Sequence, residues 1–341
     1  MRAMRNFGAV VCGCLVWMGA MAMATSTGAQ TSDAAQAGRD AAGVTVGVAP
    51  ELFSPGVISG PANDGSPTFT PDGKSLYFTR STAAWGVILE SRLSGGKWSE
   101  PEVASFSGEW RDSSPGMAPD GSFLVFVSLR PKVMPAPGEK ITSVRANLYR
   151  VKRVGAGWSE AERLPDTVNI GDAIWKPSVA ADGSIYFVSI DTKGGKRLYR
   201  SLFKDGEYQQ AEPLSFSDGT TADVDPEIAP DGSFLLFCSS GRVKDDPRDH
   251  LYVVRREGAE WGAVAAMRYA GDGGSTDDEP HLGPSLGPDR VTVYFSSDRA
   301  VPVSFPRTHA QAVEDLKRLE LWDNSNSNVW FMSVKPWIGR K

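Results

Sequence analysis

Cysteine is nearly absent from this 341-residue chain: Cys12 and Cys14 fall in the first fifteen residues, and only Cys238 stands in the body. If the leader is removed no internal disulfide is possible, which excludes the small stapled folds. Cys238, inside the apolar run "SFLLFCSS", is expected to be a packing residue. Histidine is as scarce, and His250, His281 and His309 show no HExxH or HxH spacing, so a three-histidine metal site is not expected. The acidic stretch "DGTTADVD", from Asp218 to Asp225, lacks the ordered spacing of an EF-hand loop. No metal and no other cofactor is expected. Positive charge is short too, with 36 Lys and Arg against 41 Asp and Glu and a net charge of −5, so a nucleic-acid partner is not expected.

Long apolar runs are confined to the start, "MRAMRNFGAVVCGCLVWMGAMAMATSTGAQ". Arg2 and Arg5 precede an apolar stretch that ends in small residues, the pattern of a secretory signal peptide. The expected division is a signal peptide over 1–29, a leader low in bulky apolar residues over 30–49, a domain over 50–336 and a tail over 337–341. A membrane anchor is the alternative for the first segment. The expected location is periplasmic or extracellular, with no integral membrane span once the signal is cleaved.

What the chain does contain is one motif in five copies. "SPTFTPDGKSLYF" returns as "SPGMAPDGSFLVF", "KPSVAADGSIYF", "DPEIAPDGSFLLF" and "EPHLGPSLGPDRVTVYF". In the first copy Pro71 presets φ, Asp72 bonds the local backbone and Gly73 allows the chain to reverse, so the flanking runs are paired strands. A third strand follows at "GVILESRL" and a fourth at "KWSEPEVA", with Trp98, Trp158, Tyr208 and Trp261 in equivalent places. These rings are expected to fill the space between packed sheets. Taking Pro67, Pro115, Pro177, Pro226 and Pro280 as markers, the period of 48 to 62 residues holds one four-stranded antiparallel meander. Radial repetition buries the faces of such units and leaves only short edges, so the expected fold is an all-β, five-bladed β-propeller. "PELFSPGVIS" is a fourth strand without a blade, and "NVWFMSV" is a third strand lacking its fourth. Pairing Leu52–Ile58 beside Val329–Val334 closes the ring.

These hairpins and "WSEP" strands resemble the WD-repeat-like, TolB-type propeller repeats of exported bacterial proteins, over about residues 50–336. The resemblance implies a propeller, commonly of six blades, and a role in binding protein partners. Six blades are therefore the alternative count. Two copies depart from the pattern: Ala181 replaces the turn proline, and "GPSLGPDR" reads as a lengthened turn with Arg290 in the glycine place.

With the first strand of each blade innermost, the loops entering these strands share one face, here called the mouth, with the connections between strands two and three. Three long insertions follow second strands, "LRPKVMPAPGEKITSVRA", "GRVKDDPRDH" and "DRAVPVSFPRTHAQAVEDLKRLELWDNSNS". The last contains an amphipathic helix with Val313, Leu316, Leu319 and Leu321 toward one side, suited to packing on the propeller or to docking a partner. Acids precede the inner strands at Asp64, Asp112, Asp172, Asp223, Asp225, Asp278 and Glu279, and arginines end second strands at Arg80, Arg130, Arg242 and Arg299. Two roles suit them: a lattice of pairs joining blades, or an acidic rim that captures a basic peptide. The expected function is an exported binding module for a protein or peptide partner in the cell envelope. The enzyme alternative is a propeller glycosidase, which needs two mouth carboxylates in a pocket lined by aromatic rings. "GPSLG" fits G-x-S-x-G but lacks the strand-to-helix setting, so Ser285 is not expected to be a nucleophile.

Overall fold

The computed structural model describes residues 38–39, 45–133, 136, 145–171, 173–191, 193–244, 248–269, 282–301 and 303–339. All lie in the second of two compact units, Gln36–Lys341. The first unit, Met1–Ala35, and with it the signal-peptide expectation, falls outside the described residues.

Five antiparallel sheets form a five-bladed β-propeller. The inner strands are Asn63–Phe69, Asp112–Met117, Ile174–Val179, Ala222–Ile228 and Leu282–Leu286. Second strands such as Phe123–Ser128 and Phe234–Ser240 are apolar on both faces because each blade is covered by its two neighbours. Phe78, Phe126, Phe187, Phe237 and Phe295 repeat at one strand position and are fully buried. Cys238 is also fully buried, and that burial pushes its thiol well above the ordinary value. The fourth strand is broken in two in the first blade. Lys97–Trp98 and Glu102–Val103 both pair with the third strand, Gly86–Ser94, around the "SEP" break. Of the repeated outer rings, Trp158 Nε1 donates to Tyr77 Oη of the preceding blade at 3.1 Å, and Trp261 packs edge-on against Phe216 of the chain entering its blade.

The turn chemistry corrects the alignment of the fifth copy. Gly73, Gly121, Gly183 and Gly232 take positive φ in the first four hairpins, and Arg290, at φ 58°, takes that place in the fifth. Asp289 accepts from the Val291 and Thr292 amides as Asp72 accepts from Lys74. Counting back from this turn, the inner-strand proline is Pro284 rather than Pro280, and the hairpin is not lengthened. Ser285 therefore sits buried within the inner strand, not in a turn.

That alignment exposes a five-fold feature. The residue before each inner proline, Ser66, Ser114, Lys176, Asp225 and Gly283, has φ between 48° and 60°, and strand register slips there in every blade. Each is a β-bulge, whose left-handed residue costs about 1–3 kcal/mol when it is not glycine. A bulge also frees a backbone N–H from the ladder. Side chains of the preceding blade accept it: Ser66 N donates to Ser296 Oγ at 3.0 Å, Ser114 N to Thr79 Oγ1 at 2.8 Å and Gly283 N to Asp225 Oδ2 at 2.8 Å.

The ring closes through its ends. Glu51 and Leu52 pair with Phe331 and Trp330, and Phe53 N extends the ladder to Val329 O at 2.8 Å. The pairing is shorter than Leu52–Ile58 because the chain leaves the sheet at Ser54, which has φ 46°. Phe53 fills the expected ring position, with Phe69, Trp98, Tyr294 and Phe331 centred 5.1 to 6.1 Å away. Structure also extends past both domain boundaries drawn from the sequence. Thr45–Gly47 runs parallel to Arg268–Tyr269, and Trp337, in the short helix Lys335–Ile338, is buried.

Candidate binding site at the axis and rim

Three of the predicted acid and arginine pairs form, each within one blade. Asp64 and Arg80 face each other across the first hairpin, with Nε to Oδ1 at 2.7 Å and Nη2 to Oδ2 at 3.0 Å. Asp223 and Arg242 make the same fork at 2.8 and 2.6 Å. Arg130 Nη1 reaches Asp112 Oδ1 at 2.8 Å, and Ser107 Oγ donates to Oδ2 at 2.9 Å. All three carboxylates are buried while their arginines retain partial exposure. The pairs do not cross between blades as a lattice. The arginines instead reach the chain entering their own blade, Arg130 Nη2 at Phe106 O and Arg242 Nη2 at Phe216 O.

Burial raises the Asp64 carboxyl above its ordinary value, and the Arg80 guanidinium opposes the shift. For Asp112 burial again dominates, opposed by Ser128 and Arg130. Arg299 differs. Its guanidinium stacks over Tyr269 and Trp330, 5.7 and 5.9 Å from the ring centres. Asp172, Asp278 and Glu279 lie outside the described residues. Asp225 falls at a bulge, two residues nearer the inner-strand proline than the paired acids.

The mouth holds a cavity of about 320 Å³ lined by Asp64, Ser66, Arg111, Ser114, Asp225 and Ser296, among others. No aromatic ring is among its lining residues, and Asp64 is already engaged by Arg80. Among the described residues that arrangement does not supply the pair of free carboxylates and the sugar platform of a glycosidase. A smaller cavity of about 90 Å³ lies at the other end of the axis, among Pro71, Pro119, Pro230 and Pro288 of the hairpin turns. It is lined in part by Glu227, whose Oε1 accepts from Leu286 N at 2.8 Å and whose carboxyl is raised by burial.

Sequence reasoning named Asp225 but missed the other bulge residues, including Lys176, a lysine that is 1% exposed. The clue was the row of doublets SP, SP, KP, DP and GP, because glycine in one copy marks a left-handed position in all five.

The helix of the fifth-blade insertion, His309–Leu321, begins with a Thr308 and Gln311 capping box. It lies on the mouth side, since Asn326 Nδ2, just past it, donates to Pro61 O at 2.6 Å ahead of the first inner strand. Its partly covered side carries Ala312, Asp315, Arg318 and then Trp322, which meets Trp330 edge-on. Arg318 bonds Asp323 Oδ2 at 2.7 Å. The apolar row does not pack on the propeller: Val313, Leu316, Leu319 and Leu321 are 39 to 53% exposed. Trp85, at the mouth turn of the first blade, is 49% exposed.

No family model matches this chain, and no curated protein matches it. Solved structures do, and the neighbours include TolB-type β-propellers. A TolB-type protein from Agrobacterium tumefaciens is 18% identical, with 70% of each chain covered and a TM-score of 0.46. TolB from Acinetobacter baumannii is 16% identical over 80% of this chain and 55% of that one, at a TM-score of 0.46. The catalytic domain of a Coprinopsis cinerea GH62 α-L-arabinofuranosidase is 11% identical over 84% and 97%, at 0.49. At these identities the likeness is one of fold alone. Among the described residues no helix is long and apolar enough to cross a membrane.

Proposed function

We propose that this protein is an exported β-propeller that binds a protein or peptide partner with its mouth face, in the periplasm or outside the cell. The observation that carries the reading is the apolar row on the fifth-blade helix, which stays exposed while the opposite side anchors the helix. Phe305, 76% exposed just before the helix, and Trp85, 49% exposed in a mouth connection of the first blade, are further exposed apolar side chains. The paired Asp64, Asp112 and Asp223 hold the entries of their blades, while Asp172, Asp278 and Glu279 remain proposed rim contacts for a basic segment.

The test is chemical cross-linking of the exported protein in its own envelope, with mass spectrometry of the captured species. Replacing Leu316 and Leu319 together by Glu should abolish capture of a specific partner and leave the melting temperature unchanged, because both side chains are exposed. If the double variant cross-links as the natural protein does, the helix is not the docking surface and the reading fails.

A further inference from the structure

The repeat breaks its own pattern at two places, and both line one cavity. The residue after each inner proline is Thr68, Gly116, Ser178, Glu227 and Ser285, so a single carboxylate stands where the other blades have neutral groups. The hairpin turns carry Gly73, Gly121, Gly183 and Gly232 at the left-handed position, and Arg290 takes that place in the fifth blade. Glu227 and Arg290 both line the cavity of about 90 Å³ at the turn end of the axis.

Packing between blades does not require the carboxylate. Glu227 Oε1 accepts from Leu286 N at 2.8 Å, and at the equivalent step a hydroxyl suffices: Thr68 Oγ1 accepts from Met117 N at 3.1 Å, and Ser178 Oγ from Ile228 N at 3.0 Å. A carboxylate adds a second oxygen and a charge that this bond does not need. Burial raises the Glu227 carboxyl, and the Lys176 ammonium opposes that shift. The turn does not require the arginine either, because glycine adopts a φ of 58° freely and a side chain there is strained. The Arg290 guanidinium forms no hydrogen bond or ion pair among the described residues, with Glu227 or with any other group.

Two opposite charges on adjacent blades, lining one cavity without pairing, fit a ligand that carries both signs. We propose that the turn-side cavity binds a small amino carboxylate, with its ammonium on Glu227 and its carboxylate on Arg290. Phe69, Met117 and Ile228 supply apolar wall beside these two groups. A simple amine would be opposed by Arg290, and a simple anion by Glu227. A volume of about 90 Å³ limits the ligand to a few heavy atoms, the size of glycine or β-alanine, and excludes a peptide segment. This site lies at the end of the axis away from the mouth, so it does not depend on the partner-binding reading.

The experiment titrates the intact protein with glycine, L-alanine and β-alanine, read by calorimetry and by melting temperature. At least one should bind. Its counterpart without the carboxylate, methylamine or ethylamine, and its counterpart without the ammonium, acetate or propionate, should each bind at least about tenfold more weakly. Arg290→Gly restores the residue that the other four turns carry, and Glu227→Gln keeps an acceptor for Leu286 N, so both variants should fold. Each should weaken binding by at least about tenfold. The proposal is overturned if none of the three binds at about 10 mM, or if the amine or the acid alone binds as tightly as the parent. Undiminished binding by either variant overturns it as well, and where a variant fails to melt cooperatively the ligand comparisons decide alone.

Discussion

The first, second and fourth blades secure their entries differently from the third, and the contrast shows how one repeat satisfies the same need with opposite chemistry. In the former a buried aspartate stands three residues before the inner proline and is paired by an arginine at the end of the second strand or just past it. In the third blade the equivalent residue is Ile174, which is buried among apolar neighbours such as Val168. There Ser189, at the end of the second strand, donates to Ile170 O at 3.2 Å or Ala173 O at 3.1 Å, and so meets the entering chain without charge. On the fifth blade, whose entering residues 270–281 lie outside the described residues, Arg299 stacks on the rings of Tyr269 and Trp330. An entering chain needs hydrogen-bond donors at its carbonyls, and either a guanidinium or a hydroxyl provides them. The guanidinium brings a charge, and the buried aspartate neutralises it.

The largest expected effect comes from breaking one charged entry. Arg130→Met leaves Asp112 buried without its counter-charge and frees Phe106 O, and should lower stability by about 3–5 kcal/mol in denaturant unfolding at neutral pH. A change below about 1 kcal/mol would mean that the pair is no more than a surface contact. The neutral entry should be less sensitive. Ser189→Ala removes one hydroxyl donor and should cost about 1 kcal/mol. A loss equal to that of Arg130→Met would erase the distinction between the blades.

Acidity sharpens the comparison further. Burial holds Asp112 above the ordinary carboxylate value of 3.8, so the folded chain retains its proton to higher pH than the unfolded chain. The resulting stabilisation is complete below the unfolded value and is lost as pH rises through the folded one. The stability of the natural protein relative to Asp112→Asn should therefore fall as pH rises above the ordinary carboxylate value of 3.8. Relative to Ser189→Ala, where no charge is involved, it should stay level. The opposite slope for Asp112→Asn would show that the arginine outweighs burial. The smallest effect is reserved for the exposed pair Lys132 and Asp166, 2.6 Å apart. Lys132→Ala should leave the denaturant midpoint nearly unchanged, which separates the buried entries from ordinary surface pairs.

Much of this architecture was present in the sequence. Five copies of a hairpin, each with Pro or Ala, Asp and a left-handed residue at the turn, dictate five meanders, because turn chemistry is local and depends on a few adjacent residues. The orphan strand around Leu52 and the incomplete blade at Val329 likewise dictated closure, since an open ring would leave an unpaired edge. Asp64 with Arg80, Asp112 with Arg130 and Asp223 with Arg242 were legible as residue sets, for an acid recurs before the inner strand and an arginine at the end of the second.

Other features depend on what packs against what. Whether those acids face solvent or lie buried was decided by the chain folding over them from the neighbouring connection. The fifth-copy register turned on Arg290 adopting a glycine conformation, which its residue type argues against and which the Asp289 hydrogen bonds support. The helix of the last insertion was legible from its periodicity, but its buried side was not. Trp322, Arg318 and Asp323 anchor it through ring and ionic contacts, so the leucines that mark an inward face by pattern alone are turned outward. The axial ring of Ser66, Ser114, Lys176 and Asp225 exists only in the closed propeller, because residues 48 to 62 positions apart become neighbours when the blades share one axis.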